Sequence, residues 1–179
     1  MTPTLSQLQK AMPGCPRVRM ELMLPGLIAS MQRVEINTPL RAAAYISQVG
    51  HESADLRYMQ EIASGAKYEG NLKLGNTKSG DGMRFKGRGP IQLTGRDNYT
   101  RFSAWSGLDC IIHPELLEIP ENGFLASAWY WETRDLNSHA DKGDILRVSI
   151  GVNGKNSDGY PNGWADRLTR YTRAMEAFK

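Results

Sequence analysis

A chain of 179 residues, 40% hydrophobic and 23% charged, is long enough to bury roughly 70% of its unfolded surface without disulfide or metal staples, and one folding unit is expected. Its formal charge of +3 and sequence pI near 8.9 imply an ordinary solvated surface with a mild bias toward anionic partners, and no nucleic-acid recognition motif accompanies that charge. Cys15 and Cys110 fit neither a disulfide framework nor zinc spacing, no run approaches the ~18 apolar residues of a membrane span, and no basic segment with an apolar core opens the chain, so a soluble product in a reducing cytosol is expected.

Thr4 to Met12 predicts a short helix with Thr4 as cap, stopped by Pro13-Gly14-Cys15-Pro16. A second helix from about Arg17 to Val34 should bend or restart at Pro25. Thr38 is an N-cap candidate with Pro39 at the first helical position, and Ala42, Tyr45, Ile46 and Val49 recur at helical spacing. From Arg57 to about Gly89 glycines become frequent and the helical period fades, which predicts an irregular lobe over 57–95, the kind of long loop that usually carries function. Ile91 to Thr94 is expected to be a short extended segment. Helices are predicted over Asp97 to Ser106, Asn122 to Arg134, Asp144 to Val152 and Trp164 to Phe178, with a turn-rich stretch over 153–163. The fold class is therefore mainly α.

Chemistry concentrates on His51-Glu52, Glu61 and the run Gly87-Arg88-Gly89-Pro90-Ile91-Gln92-Leu93-Thr94. Glu52 shares the face of the Pro39 helix that the apolar stripe buries; a carboxyl held partly out of water keeps its proton and suits a general acid, the alternative being a helix-ending Glu beside an arginine. Glu61 lies nine residues on, half a turn out of phase, so the helix must end between them if the two are to meet. A more solvated Glu61 would stay ionised as general base; the alternatives are a plain surface carboxylate and Glu69 as the base. Two such carboxyl groups flanking a polar floor are what hydrolysis of a sugar acetal requires. Period two over Ile91 to Thr94 sends Gln92 and Thr94 to one side, with Gly87 and Gly89 shaping the loop, unless the segment is only a structural turn.

Asn98-Tyr99 and Asn153-Gly154 offer amides and a phenol for acetamido and hydroxyl groups, although Asn-Gly is first of all a turn signal. Trp105, Trp129, Trp131 and Trp164 fit a core better than a sugar platform. The histidines His51, His113 and His139 lack metal-ligand spacing, and His51 is expected to brace the Glu52 region. Arg167, Arg170 and Arg173 are spaced to put three cations near one face of the last helix, toward a polyanion such as bacterial cell wall.

Ala44 to Ser53 with His51-Glu52, Phe85 to Thr94, Asn98-Tyr99 and Val152-Asn153-Gly154 together resemble glycoside hydrolase family 19, and within it phage and prophage endolysins more than plant chitinases. The resemblance runs from about Leu5 to Ala177. It implies a lysozyme-like, α-rich fold with a small irregular or β lobe beside an active-site groove, and an inverting mechanism with Glu52 as acid and Glu61 as base. Thr94 matches the hydroxyl residue that holds the attacking water; Gln92, Asn98, Tyr99 and Asn153 match substrate-side positions, and Arg167 an arginine near the site. The stretch Lys155 to Asn162 is longer than the family's usual turn, with Lys155 in place of its second glycine.

The reading this supports is a single catalytic domain over 1–179, without a separate wall-binding domain, that hydrolyses the β-1,4 bond between N-acetylmuramic acid and N-acetylglucosamine of peptidoglycan. An endochitinase and a non-catalytic sugar-binding module are the alternatives. No metal or organic cofactor, no nucleic acid and no membrane insertion is expected; the enzyme would be a monomer held in the host cytoplasm before lysis and acting on the periplasmic wall.

Overall fold

In the computed structural model, which describes residues 1–179, Thr4 caps helix α1 (Leu5–Ala11) through a reciprocal box with Gln7. Its Oγ1 accepts the Gln7 N–H at 3.2 Å while Gln7 Oε1 accepts the Thr4 N–H at 3.0 Å, satisfying two otherwise orphaned donors. Helix α2 (Arg17–Arg33) runs through Pro25 as one element and turns Met20, Met23, Leu27 and Met31 inward. Pro25 is exposed, where the missing N–H leaves its partner carbonyl open to water.

Helix α3 (Pro39–Ser53) begins where Thr38 Oγ1 accepts the Arg41 N–H at 3.2 Å, and it is buried almost throughout, from Ala42 to Gly50. After a single turn, α4 (Asp81–Arg84), come α5 (Arg96–Ser106), α6 (Pro120–Glu132), α7 (Leu136–Ala140), α8 (Ile145–Asn153) and α9 (Trp164–Ala177). The most extensive pairings are α2 with α6 and α3 with α9. At the first, a Cβ on Gly26 would lie 3.1 Å from the Glu121 backbone, so the glycine sets how closely the two helices approach.

The interior divides in two. A cluster of 29 buried residues joins α1, α2, α3 and α6 to α9. A smaller one of 8, with Phe85, Leu93, Tyr99, Phe102 and Trp129 among its members, fixes the irregular lobe to α5 and α6. The β structure of the lobe amounts to two isolated antiparallel bridges, Gln60 with Arg88 and Arg88 with Leu93. No helix is long and apolar enough to cross a membrane.

Three sequence expectations need correction here. The lobe is less featureless than its glycines imply, because α4 and the 3-10 turns Ala66–Tyr68 and Leu72–Leu74 lie within it. Residues 91–94 are not a strand: Gly89 and Gln92 take φ of +77° and +45°, and the Arg88 to Leu93 bridge closes a four-residue turn between them. Helix α7 is absent from the sequence reading because five residues are too few to display a period.

Candidate active site

The segment after α3 decides where the two carboxylates stand. Ala54, Asp55 and Leu56 follow the helix with φ of 50°, 57° and 63°, three successive left-handed residues without a glycine. Each costs about 1–2 kcal/mol relative to a right-handed conformation, so the turn needs support. Ser53 Oγ accepts the Leu56 N–H at 2.8 Å, the Ser53 carbonyl accepts the Tyr58 N–H at 3.0 Å, and buried Asp55 takes the Gly14 N–H at 2.9 Å together with an ion pair to Arg170. The chain leaves this turn alongside the Gly87 loop: the Met59 carbonyl accepts the Gly89 N–H and the Gly87 carbonyl the Glu61 N–H, both at 2.8 Å. Glu61 thus sits three residues, about 10 Å of extended chain, beyond the Tyr58 N–H that is tied to the helix end.

Glu52 is half-buried and its Oε1 is held by Arg167 Nη2, while Oε2 accepts no hydrogen bond from the chain. Arg167 is 1% exposed. Its Nη1 donates to Gln48 Oε1 at 2.5 Å and its Nε to the Asn162 carbonyl at 2.9 Å. Gln48 in turn donates to Ser47 Oγ at 3.2 Å and Ser149 Oγ at 3.1 Å. The Glu52 carboxyl is therefore fixed by a buried polar relay reaching from α3 to α8 and α9. Sequence reasoning missed Gln48, although its place four residues before Glu52, on the same helical face, is a signal that it shares a partner.

Glu61 is built differently. Its Oε1 accepts from the Tyr68 hydroxyl at 3.2 Å and pairs with Lys67 Nζ at 3.0 Å, and its Oε2 accepts the Gly87 N–H at 3.3 Å. Burial by itself would raise its pKa, but Lys67, the Gly87 N–H and the Tyr68 hydroxyl together outweigh burial and hold the carboxyl below the ordinary glutamate range. Near neutral pH Glu61 is an anion, the state a general base requires. Glu69, the rival base, is engaged at both oxygens: Oε1 accepts the Gly80 N–H at 2.7 Å and Oε2 the Gly82 N–H at 2.8 Å, so it fastens the start of α4.

Gly87 brings the rest of the floor together. A Cβ there would lie 2.5 Å from Gln92 Oε1 and 3.3 Å from Thr94 Oγ1, so Glu61, Gln92 and Thr94 converge on one glycine. Gln92 and Thr94 share a side, as the period-two reading anticipated, but through the left-handed turn at Gln92 and not through a strand. Asn98 lies one helical turn on and donates from Nδ2 to the Thr94 carbonyl at 2.8 Å.

Tyr99 departs from the expected substrate side. It is 0% exposed, its hydroxyl donates to the Lys86 carbonyl at 2.8 Å and accepts from Arg88 Nη1 at 3.0 Å. Arg88, the charged residue of the Gly-Arg-Gly run, is itself buried and tied also to Glu118 and the Arg84 carbonyl, so it and Tyr99 hold the loop from beneath. Arg167 likewise acts through Glu52, too buried to meet a ligand itself.

His51 Nδ1 meets Asp166 Oδ2 at 2.6 Å, and Asp166 also accepts Arg170 Nε at 2.6 Å, which joins His51 to the Asp55 turn. Burial opposes the ionisation of Asp166, yet Arg170 and His51 prevail and keep its pKa low. The cationic face expected on the last helix does not exist as such: Arg167 and Arg170 are consumed by Glu52, Asp55 and Asp166, leaving Arg173 alone. Exposed Asn153 accepts the Asn162 N–H at 3.0 Å through Oδ1, anchoring the extended 154–163 loop whose Asn162 carbonyl receives Arg167. Of the tryptophans, Trp129 and Trp131 are core residues and Trp105 and Trp164 are half-buried. No group of three or more His, Cys, Asp or Glu side chains converges as metal ligands would.

Comparison with known proteins returns no matching family model, but individual relatives. The chain is 28% identical over 160 residues to a Haemophilus influenzae protein described as glycosyl hydrolase family 19 domain-containing, covering 70% of this chain and 76% of that one. It is 32% identical over 90 residues to an Arabidopsis thaliana endochitinase, covering 50% of this chain but only 31% of the plant protein. Chitinase C from Streptomyces griseus superposes with a TM-score of 0.81 at 19% identity, over 99% of this chain and 76% of that one. A bacterial family 19 chitinase gives 0.79 at 21%, over 99% and 95%. At such identities the structures establish the shared α-rich, lysozyme-like fold; the sequence relatives are family 19 glycoside hydrolases, and the chain is a chitinase-like glycoside hydrolase similar to them.

Proposed function

We propose that the chain is an endolysin that hydrolyses the β-1,4 bond between N-acetylmuramic acid and N-acetylglucosamine of peptidoglycan with inversion. The chemistry rests on the unequal settings of its two carboxyl groups. Glu52, with Oε2 unengaged, donates a proton to the leaving glycosidic oxygen; Glu61, ionised by its three partners, removes a proton from a water steadied by Thr94, which attacks the opposite face of the sugar. An inverting pair requires roughly 6.5–9.5 Å between carboxyl groups to admit that water. Gln92, Asn98 and the free amide of Asn153 meet the sugar substituents, and His51 positions the Glu52 end of the helix through Asp166.

Charge distribution favours peptidoglycan. Residues 57–95 contain seven Arg or Lys and three Asp or Glu, a net +4, whereas the rest of the chain has 15 and 16, a net −1. The peptide branches of peptidoglycan carry carboxylates and chitin is uncharged, so a cationic lobe beside Glu61 suits the former. Chitin is the second reading, favoured by the names of the plant and Streptomyces relatives. The enzyme would act as a monomer on the periplasmic wall after release from the host cytoplasm.

Purified sacculi and chitin oligomers, assayed in parallel for new reducing ends, distinguish the readings. Glu52→Gln should reduce release from sacculi at least ~10²-fold, the lower range for loss of a general acid, with the melting transition retained. Turnover of chitin alone, or unchanged lysis by the variant, would overturn the proposal.

A further inference from the structure

On the side of the Tyr58 to Ile62 segment that faces α2 lies a hollow of about 500 Å³, lined by Arg19 and Leu22 of α2, by Arg57, Tyr58 and Ile62, and reaching Glu61. Its volume falls in the range of ligand pockets, about 300–1,000 Å³. Its polar lining is unbalanced. Glu61 is paired with Lys67, and Glu118 is held by Arg88 and Gln60. Arg57 makes no side-chain hydrogen bond or ion pair, and Arg19 spends only Nε, on the Leu56 carbonyl, leaving its terminal amines without a partner in the chain. Two guanidinium groups without carboxylates thus face one concavity, and guanidinium is the side chain best shaped for bidentate carboxylate recognition.

The apolar rim is equally open: Ile62 is 78% and Leu22 61% exposed, so both adjoining elements present aliphatic surface to the hollow. Cations and aliphatic surface together fit a short peptide bearing free carboxylates and methyl groups. Glu61 also lines the hollow, so a ligand seated in it would lie beside the candidate base.

We propose that this hollow binds the acidic peptide branch of the substrate, with Arg57 and Arg19 receiving its carboxylates and Leu22 and Ile62 its alanine methyls. The proposal rests on the peptidoglycan reading above and assigns the feature that separates peptidoglycan from chitin to residues outside the sugar groove.

The test compares intact sacculi with sacculi whose peptides have been removed by cleavage of the lactyl-peptide amide. Wild-type kcat/KM should favour intact material about fivefold, the upper range for one exposed ion pair, and the preference should shrink in 0.5 M salt, roughly three times the ionic strength at which screening already acts over about 8 Å. Arg57→Glu should bring the ratio to about one or below, and Arg57→Lys, which keeps the charge but loses the bidentate fork, should retain only part of it. An equal wild-type rate on both substrates, or an unchanged ratio in Arg57→Glu, would overturn the assignment of the hollow while leaving peptidoglycan hydrolysis standing. Absence of reducing ends from either wall preparation, with chitin oligomers cleaved, would instead overturn the peptidoglycan reading and this proposal with it.

Discussion

Gly87→Ala is a local probe of the active-site floor. Its φ lies outside the left-handed region, so alanine meets no backbone penalty and the effect is steric. The new Cβ would stand 2.5 Å from Gln92 Oε1, where ordinary contact begins at 3.4 Å, so the amide must move by nearly 1 Å; the contact with Thr94 Oγ1, at 3.3 Å, is only marginally tight. Displacing Gln92 breaks its 3.0 Å hydrogen bond from Nε2 to the Gly89 carbonyl, a loss of about 0.5–1.5 kcal/mol. For a chain of this length that lowers the melting temperature by about 2–4 °C per kcal/mol. Activity should suffer far more, because a misplacement near 1 Å costs on the order of 10²-fold. Calorimetry paired with initial rates of reducing-end release on sacculi reads both effects. A variant that melts early yet retains wild-type kcat would show that Gln92 and Thr94 do not hold reacting groups; destabilisation beyond about 4 kcal/mol would mean that the loop packs more rigidly than a flexible Gln amide implies.

Lys67→Met removes the strongest of the influences that keep the Glu61 carboxyl ionised, so its pKa should rise and the acidic limb of the kcat/KM profile should move to higher pH; an unmoved limb would exclude Glu61 as the group titrating there. Gln48→Leu strands Arg167 Nη1 and Ser149 Oγ in the interior, at about 1–3 kcal/mol for each unsatisfied group, and by loosening Arg167 should lower kcat more than it raises KM. Asp81 is held below the usual carboxylate range chiefly by Arg96, so the stability it lends is present above the unfolded-state value of about 3.9 and is lost as pH falls through the lower folded value. Asp81→Asn should therefore flatten the decline of melting temperature below about pH 4, and an equally steep decline would assign acid unfolding to other carboxylates.

Local rules were sufficient wherever a long period or a cap dominates. Thr4 with Gln7, Thr38 with Pro39 and the amphipathic run to Val49 place α1 and α3 from neighbouring residues alone, and the requirement that α3 end between Glu52 and Glu61 follows from helical phase. How the chain turns there did not follow. Three left-handed residues without a glycine have no sequence signature, since beside the local bonds from Ser53 the turn of Ala54, Asp55 and Leu56 relies on Gly14 and Arg170, 41 and 115 residues from Asp55. The same limit governs the site. His51, Glu52, Glu61, Gln92 and Thr94 stand out as candidates by residue type and spacing, but whether a polar side chain meets a ligand or a neighbour depends on what packs over it.

Tyr99 and Arg167 are buried braces because α5 and α9 dock with those faces inward, and Lys67 becomes the partner of Glu61 because the 3-10 turn Ala66–Tyr68 folds back over it. The sequence by itself therefore determined the long helices, the family resemblance and which residue types bring acid–base chemistry. Tertiary structure alone decided which charges are spent inside and which remain available, because desolvation and ion pairing act through space and not along the chain.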